Sequence, residues 1–465
     1  MTPLRRVLRL WDLVLLNIVA VVSLRWWLTS AGAYGYAALP LWALACLLFF
    51  VPSSLAVVDL TTRYPEEGGI YAWTKRAFGE RHGFISGWCL WTNNLFYFPT
   101  VLLFAIGNLL FTLGPERGDL ERSVPLMATL SLLLLWFCFY VNFRGLGWGR
   151  WLNNLGALGT WLPAAILIVL GVFVAMRSGA ATAFRGTGLV PGLDLGTLSF
   201  FSLMCFGFSG IELGSMMSEE IVDPRRNVPR AILIAGGIIT SIYILGTAAL
   251  LVALPQDSIG LLSGVSYAIA AVQERAGLEM LAGVSALLIA LGALGMTSAW
   301  LGGASRVPFV VGLDRYLPPG FGRLHPRHAT PHVALLVTAA MSSLMVLLSF
   351  PGGSVQDAYL FLAEFTLVVY FVPYLYLFAA LFRLSARGEA PPGAVPVPGG
   401  RAGAVVVSAV GFATTALAIV FALMPAANVA HPVLFHLRLL ASCLLVAAIG
   451  WLLYRSGRRR RGGGK

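Results

Sequence analysis

The stretch Leu16-Asn17-Ile18-Val19-Ala20-Val21-Val22-Ser23-Leu24-Arg25-Trp26-Trp27-Leu28 is an apolar run interrupted near its middle by a serine and an arginine. A second run, Phe200-Phe201-Ser202-Leu203-Met204-Cys205-Phe206-Gly207-Phe208-Ser209-Gly210-Ile211-Glu212-Leu213-Gly214-Ser215, is interrupted at the corresponding depth by glycines, Ser209 and Glu212. Apolar blocks of about 20 residues match a hydrocarbon core of about 30 Å at a rise of 1.5 Å per residue. An unwound turn at that depth leaves backbone groups without water, and is tolerated only where it is buried in protein or lines a cavity. Two such interruptions in one chain point to a pair of broken helices, the form in which many carriers hold a solute at the bilayer midplane.

The rest of the chain agrees with a membrane setting. Of its 465 residues, 58% are hydrophobic and only 11% charged, whereas soluble domains carry about 25% charged residues. The first apolar block is too long for a signal peptide and lacks a small-residue cleavage site. Cys46, Cys89, Cys138, Cys205 and Cys443 all fall inside apolar spans without metal-ligand spacing, and read as packing residues. No soluble catalytic domain is visible and no His, Cys or Ser arrangement has catalytic spacing, so an enzyme is not expected.

Apolar blocks between Gly, Pro and charge clusters give twelve expected spans, at 11–36, 39–61, 83–113, 123–143, 151–176, 197–222, 230–254, 280–311, 332–350, 356–382, 403–424 and 432–454. With twelve spans both termini share one side. That side collects 25 of the 32 Lys and Arg residues and the other only five, with Arg25 and Arg438 inside spans. One missed span would scramble this asymmetry, so the positive-inside rule puts both termini in the cytoplasm of a multi-pass cell-membrane protein. The same rule explains the net charge of +12 without nucleic acid. The basic tail, 455–465, reads as a topological anchor or as a site of attraction to anionic head groups.

Arg25 lies some 14 residues past Trp11, deep in its span. Burying an arginine there costs at least ~2.5–3.5 kcal/mol on insertion scales, so it faces a cavity or a partner unless it snorkels. Glu212 is the intramembrane acid, either the partner of Arg25 or a proton-titrating group. Glycines in membrane helices also serve close packing, and those of span 6 allow that reading.

Three further stretches carry a family resemblance: Arg63-Tyr64-Pro65-Glu66-Glu67-Gly68-Gly69-Ile70-Tyr71-Ala72-Trp73-Thr74-Lys75-Arg76-Ala77-Phe78-Gly79, then Ser218-Glu219-Glu220-Ile221-Val222-Asp223-Pro224-Arg225-Arg226-Asn227-Val228-Pro229-Arg230-Ala231, then Ala304-Ser305-Arg306-Val307-Pro308 with Gly312-Leu313-Asp314-Arg315-Tyr316-Leu317-Pro318. With these in order on the expected cytoplasmic side, the chain resembles the amino acid–polyamine–organocation (APC) superfamily of permeases over nearly its whole length. The resemblance implies an all-α fold of the LeuT type: a first repeat at 11–176, an inverted second repeat at 197–382 and two added helices at 403–454. It also implies alternating access, an amino-acid-like substrate and no cofactor. Carried over by position, Val22, Ser23, Leu24, Arg25 and Trp26 would hold a substrate carboxylate. Phe206, Gly207, Phe208, Ser209 and Gly210 would hold its amine. Phe206 and Trp300 fall at gating aromatic positions, with packing as the alternative. Glu219, Glu220 and Arg76 are candidates for an inner gate.

Two departures stand out. The span 1 break lacks the family's glycines, so Arg25 would supply charge that free N–H groups otherwise give, biasing the site toward anionic substrates unless Glu212 cancels it. Span 5 has no lysine at the position that Thr160 occupies, and Thr297 and Ser298 in span 8 are the other candidates for an ion position. The coupling ion stays open between proton, sodium and none. A non-transporting sensor or partner subunit on the same fold is the competing function, and a channel is open on hydropathy alone.

Overall fold

Span 1 is not one helix but two, Leu10–Val21 and Leu24–Tyr34, separated by Val22 and Ser23 in extended backbone conformation. A computed structural model of the protein describes residues 6–114, 120–182, 189, 191–192, 194–256, 264–348, 355–388, 391–423 and 432–462. Among these the chain is helical, apart from one isolated parallel bridge between Leu8 and Ile221. Span 2 runs from Ala38 to Arg63 through a π-turn at Cys46–Phe50, just ahead of Pro52. A missing N–H at proline loosens the helical ladder in this way. A short helix, Ile70–Phe78, leads into span 3, Glu80–Phe111. Spans 4 and 5 are Val124–Phe143 and Leu146–Ser178.

Span 6 is the second broken helix, Leu195–Gly207 followed by a tighter 3-10 segment, Leu213–Glu220. The series continues with span 7 (Pro224–Ala253), span 8 (Ala282–Ala304) and span 9 (His332–Leu348). Spans 10, 11 and 12 are Val355–Ser385, Gly400–Ala422 and Pro432–Gly462. Helix lies in every expected span, and among the described residues nine stretches are long and apolar enough to cross a membrane, with three more shorter but apolar. The basic stretch after residue 454 does not leave the helix, which continues to Gly462; arginine is a good helix former once a helix is under way.

Spans 1, 3, 5, 6, 8 and 10 enclose the centre, while span 12 stands outside. In the most apolar window of span 3, 83% of residues are buried, against 17% in span 12. Large apolar side chains such as Leu133, Val169, Leu233 and Leu444 face outward. In water they would be an aggregation surface, and in a polytopic membrane protein they meet lipid.

The tightest crossing joins spans 5 and 8. Gly156 and Gly159 on one meet Gly292 and Gly295 on the other, so closely that a Cβ on Gly295 would stand 2.5 Å from the Cα of Gly156. Lipid tails are as apolar as leucine, so close backbone approach of small residues is what brings membrane helices together. This crossing fixes span 8 and its Trp300 against the broken part of span 1.

Candidate functional site

The two breaks meet at a tyrosine that neither contains. Tyr243, on span 7, places its hydroxyl 2.9 Å from the Val21 carbonyl and 2.8 Å from the Gly207 carbonyl, and accepts from the Ser23 N–H at 3.2 Å. Freed backbone groups of both unwound helices are thereby satisfied by one side chain, as burial away from water demands. Its ring stacks on Trp42 with centroids 4.3 Å apart and an interplanar angle of 4°, and Phe208 packs edge-on against both. Phe208 therefore belongs to a packed cluster behind the break.

Phe206 faces the other way. Its ring meets Trp26, Tyr97, Tyr370 and Phe371 in edge-to-face geometry, with centroids 5.8–6.2 Å apart. Trp300 joins the same group through Tyr97 and Tyr370, and its indole N–H donates to the Ala20 carbonyl at 3.1 Å. Each such aromatic pair contributes about 0.5–1.5 kcal/mol beyond its buried area. Spans 1, 3, 6, 8 and 10 are joined there by rings.

Gly210 sits at the tip of the span 6 break with φ +118°, a region that side-chain-bearing residues avoid. A Cβ there would also press on the Ala20 carbonyl at 3.0 Å and on Trp300 at 3.1 Å. Its N–H donates to Glu212 Oε2 at 3.2 Å and lies 3.0 Å from the Tyr374 hydroxyl. Glu212 is wholly buried, and the hydroxyls of Tyr370 and Tyr374 each donate to one of its oxygens. Ser209 turns its hydroxyl back to the Phe206 carbonyl at 2.6 Å.

Arg25, 2% exposed, lays its guanidinium over the Trp26 ring at 4.3 Å and within 5.5 Å of the Tyr97 ring. Such cation–π contacts strengthen once water is excluded. Val22, Ser23, Leu24 and Arg25 line a small cavity with Thr160 and Met296, with room for about one water molecule at most. The candidate ion-position hydroxyls are engaged locally: Thr160 bonds the Gly156 carbonyl and Thr297 the Ala293 carbonyl, each at 3.0 Å on its own helix. Ser298 accepts from the Asn142 side chain of span 4 at 3.0 Å. Val22 to Trp26, Phe206, Gly207, Gly210, Glu212 and Trp300 are thus gathered around one point, with Thr160 at its edge.

The inner-gate candidates separate. Arg76 pairs with Glu66 on the surface, while Glu220 is buried in a bidentate pair with Arg306. Sequence reading passed over Tyr97, Tyr243, Tyr370, Tyr374 and Arg306. The spacing of Tyr370 and Tyr374, four apart on one helix face, was the available signal.

The chain is 31% identical to a Legionella pneumophila transporter of uncharacterised function over 96% of each chain. It is 26% identical to the glutamate/gamma-aminobutyrate antiporter of Lactococcus lactis, over 88% of this chain and 82% of that one. It is also 28% identical to the mouse large neutral amino acids transporter small subunit 2, over 69% and 60%. The amino acid permease family model matches residues 8–449, and the chain belongs to that family.

Proposed function

We propose that this permease is a secondary carrier of amino acids that works by alternating access, with its substrate held between the breaks of spans 1 and 6. The observation that carries the reading is the meeting of the two breaks at Tyr243, with a cage of rings contributed by five spans on their other side. The start of Leu24–Tyr34 points the positive end of a helix at this place, which suits a carboxylate. The end of Leu195–Gly207 presents carbonyls, which suit an ammonium. The two five-span repeats, 11–176 and 197–382, would then run in opposite directions, with both termini cytoplasmic.

Arg25 beside this point biases the carrier toward anionic amino acids, in exchange or symport. One of the similar proteins is a glutamate/gamma-aminobutyrate antiporter, which supports exchange of an anionic amino acid. Uptake of radiolabelled glutamate, alanine and arginine into proteoliposomes, with and without internal amino acid, tests this. Glutamate should be preferred, and Arg25→Ala should reduce that preference at least tenfold relative to alanine. Arginine as the preferred substrate would overturn the anionic bias.

The crowding of the Arg25 cavity by side chains favours a second reading, a sensor or partner subunit that moves nothing. No uptake, together with no shift in melting temperature across a panel of amino acids, would decide for it.

A further inference from the structure

The three signature stretches of the sequence converge, away from the breaks, on one buried charge cluster. The first supplies Glu67, the second Glu220 and the third Arg306, which are 6%, 2% and 3% exposed. Arg306 spends its fork on Glu220, with Nη2 at 2.8 Å and Nε at 3.0 Å from Oε1, and donates Nη1 to the Gly302 carbonyl. Glu67 Oε2 accepts the Glu219 N–H at 3.1 Å. Its other oxygen lies 3.9 Å from Arg306 Nε and makes no hydrogen bond. Two buried carboxylates therefore share one guanidinium, and one negative charge is left over.

We infer that Glu67 binds a proton while this side of the transporter is closed and releases it when this side opens. A second buried carboxylate beside an already paired one is held as the neutral acid, because like charges a few ångströms apart in low dielectric do not both ionise. The groups facing Glu67 are Glu219 and Glu220 from span 6 and Arg306 from the segment after span 8, while Glu66 on its own loop turns away to Arg76. Burial first, and Glu220 second, push the Glu67 carboxyl well above the usual carboxylate range, with Arg306 opposing.

The cluster fastens what must part. The Glu67 loop docks on span 6 through the Gly68 N–H to the Met216 carbonyl at 3.2 Å. The N-terminal segment is stitched to the end of span 6 by the Val7 and Leu8 N–H groups on the Glu220 carbonyl, and by Val222 N–H on the Leu8 carbonyl. Separation lets water reach Glu67 and returns it toward an ordinary value of about 4.3. Between that value and the raised one, the closed state holds one more proton than the open state. The open-to-closed ratio then rises up to tenfold per pH unit, so alkali opens this side and acid closes it.

The proton's role in gating rests on the alternating-access reading above, but the site can be tested without substrate. Hydrogen–deuterium exchange of the full chain in lipid nanodiscs, corrected for the intrinsic pH dependence of amide exchange, follows residues 7–12 and 214–222. Wild type should lose protection by up to tenfold per pH unit across the window. Glu67→Gln, which copies the neutral acid, should stay protected at every pH. A flat wild-type profile, or a Glu67→Gln variant that is open throughout, overturns the proton site. If Glu67→Gln does not fold, difference infrared spectra of wild type and Glu67→Ala decide instead. A protonated-carboxyl band present in wild type and lost in the variant supports the site, and an unchanged band refutes it. A pH-dependent profile in a protein that moves no amino acid would sink the transport reading and leave the proton site standing.

Discussion

Replacing Tyr243 with phenylalanine removes one oxygen and tests whether the two broken helices are held at a common joint. The ring should keep its stack on Trp42 and its edge contact with Phe208, so packing is unchanged. What is lost is the acceptor of the Ser23 N–H and the donor that the Val21 and Gly207 carbonyls share. One hydroxyl proton serves one carbonyl at a time, so two backbone groups are left without partners. At about 1–3 kcal/mol for each unsatisfied buried group, the expected loss is ~2–6 kcal/mol.

Thr247→Val is the matched control one turn along span 7. Its hydroxyl bonds only the Tyr243 carbonyl of its own helix, at 2.7 Å. Thermal unfolding in detergent, followed by tryptophan fluorescence, should show a clear fall for Tyr243→Phe and little change for Thr247→Val. Uptake in proteoliposomes should fall with it, since both breaks lose their support. Equal melting of the two variants would refute the joint.

Two further substitutions test the frame around the site. Gly295→Val puts a branched side chain where even a Cβ would stand 2.5 Å from the Gly156 backbone; the spans 5 and 8 crossing must open, and the yield of monodisperse protein should collapse. Gly237→Ala, a span 7 position where a Cβ meets nothing within 4 Å, should leave the yield unchanged. Arg306→Ala removes the cation that pairs with Glu220 and is expected to cost about 3–5 kcal/mol, because it strands a buried carboxylate. Unfolding measured at neutral pH checks this, and a loss below about 1 kcal/mol would show that the pair is hydrated and weak.

Much of the frame was legible because membrane spans announce themselves by length and hydropathy. The breaks were legible for a related reason: Ser23 and Arg25, or Gly207 to Gly210, cannot continue an apolar helix in lipid at no cost. Their detail was less so. In span 1, read over 11 to 36, the break was expected across Val22 to Trp26, whereas only Val22 and Ser23 are extended, because local pattern shows an interruption without its geometry. Tyr243, Tyr370 and Tyr374 were hidden among many aromatic residues that only pack. Glu67, Glu220 and Arg306 stand in three stretches far apart in the chain, and only tertiary convergence makes them one cluster. A sequence shows each charge but not which loops meet.

The restraints on span 1 differ in kind at its two ends, and this bears on how a carrier of this shape would respond to its surroundings. The first half is held at its start by charged partners: Arg150 reaches the Val7 carbonyl at 3.2 Å and Asp12 at 3.4 Å, beside the stitch to Glu220. Two ties at the end of the second half are neutral. Gln256 donates to the Gly32 carbonyl at 3.1 Å, and Tyr36 to the Thr182 carbonyl at 3.2 Å. Tyr243 and Trp300 hold the joint between the halves. Under alternating access, the half that swings about that joint sets which restraints break. Swinging the first half exposes ion pairs and Glu67, and is therefore sensitive to pH and salt. Breaking those two ties at the second half exchanges neutral hydrogen bonds for water, at roughly 0.5–1.5 kcal/mol each, with no titrating group in either bond.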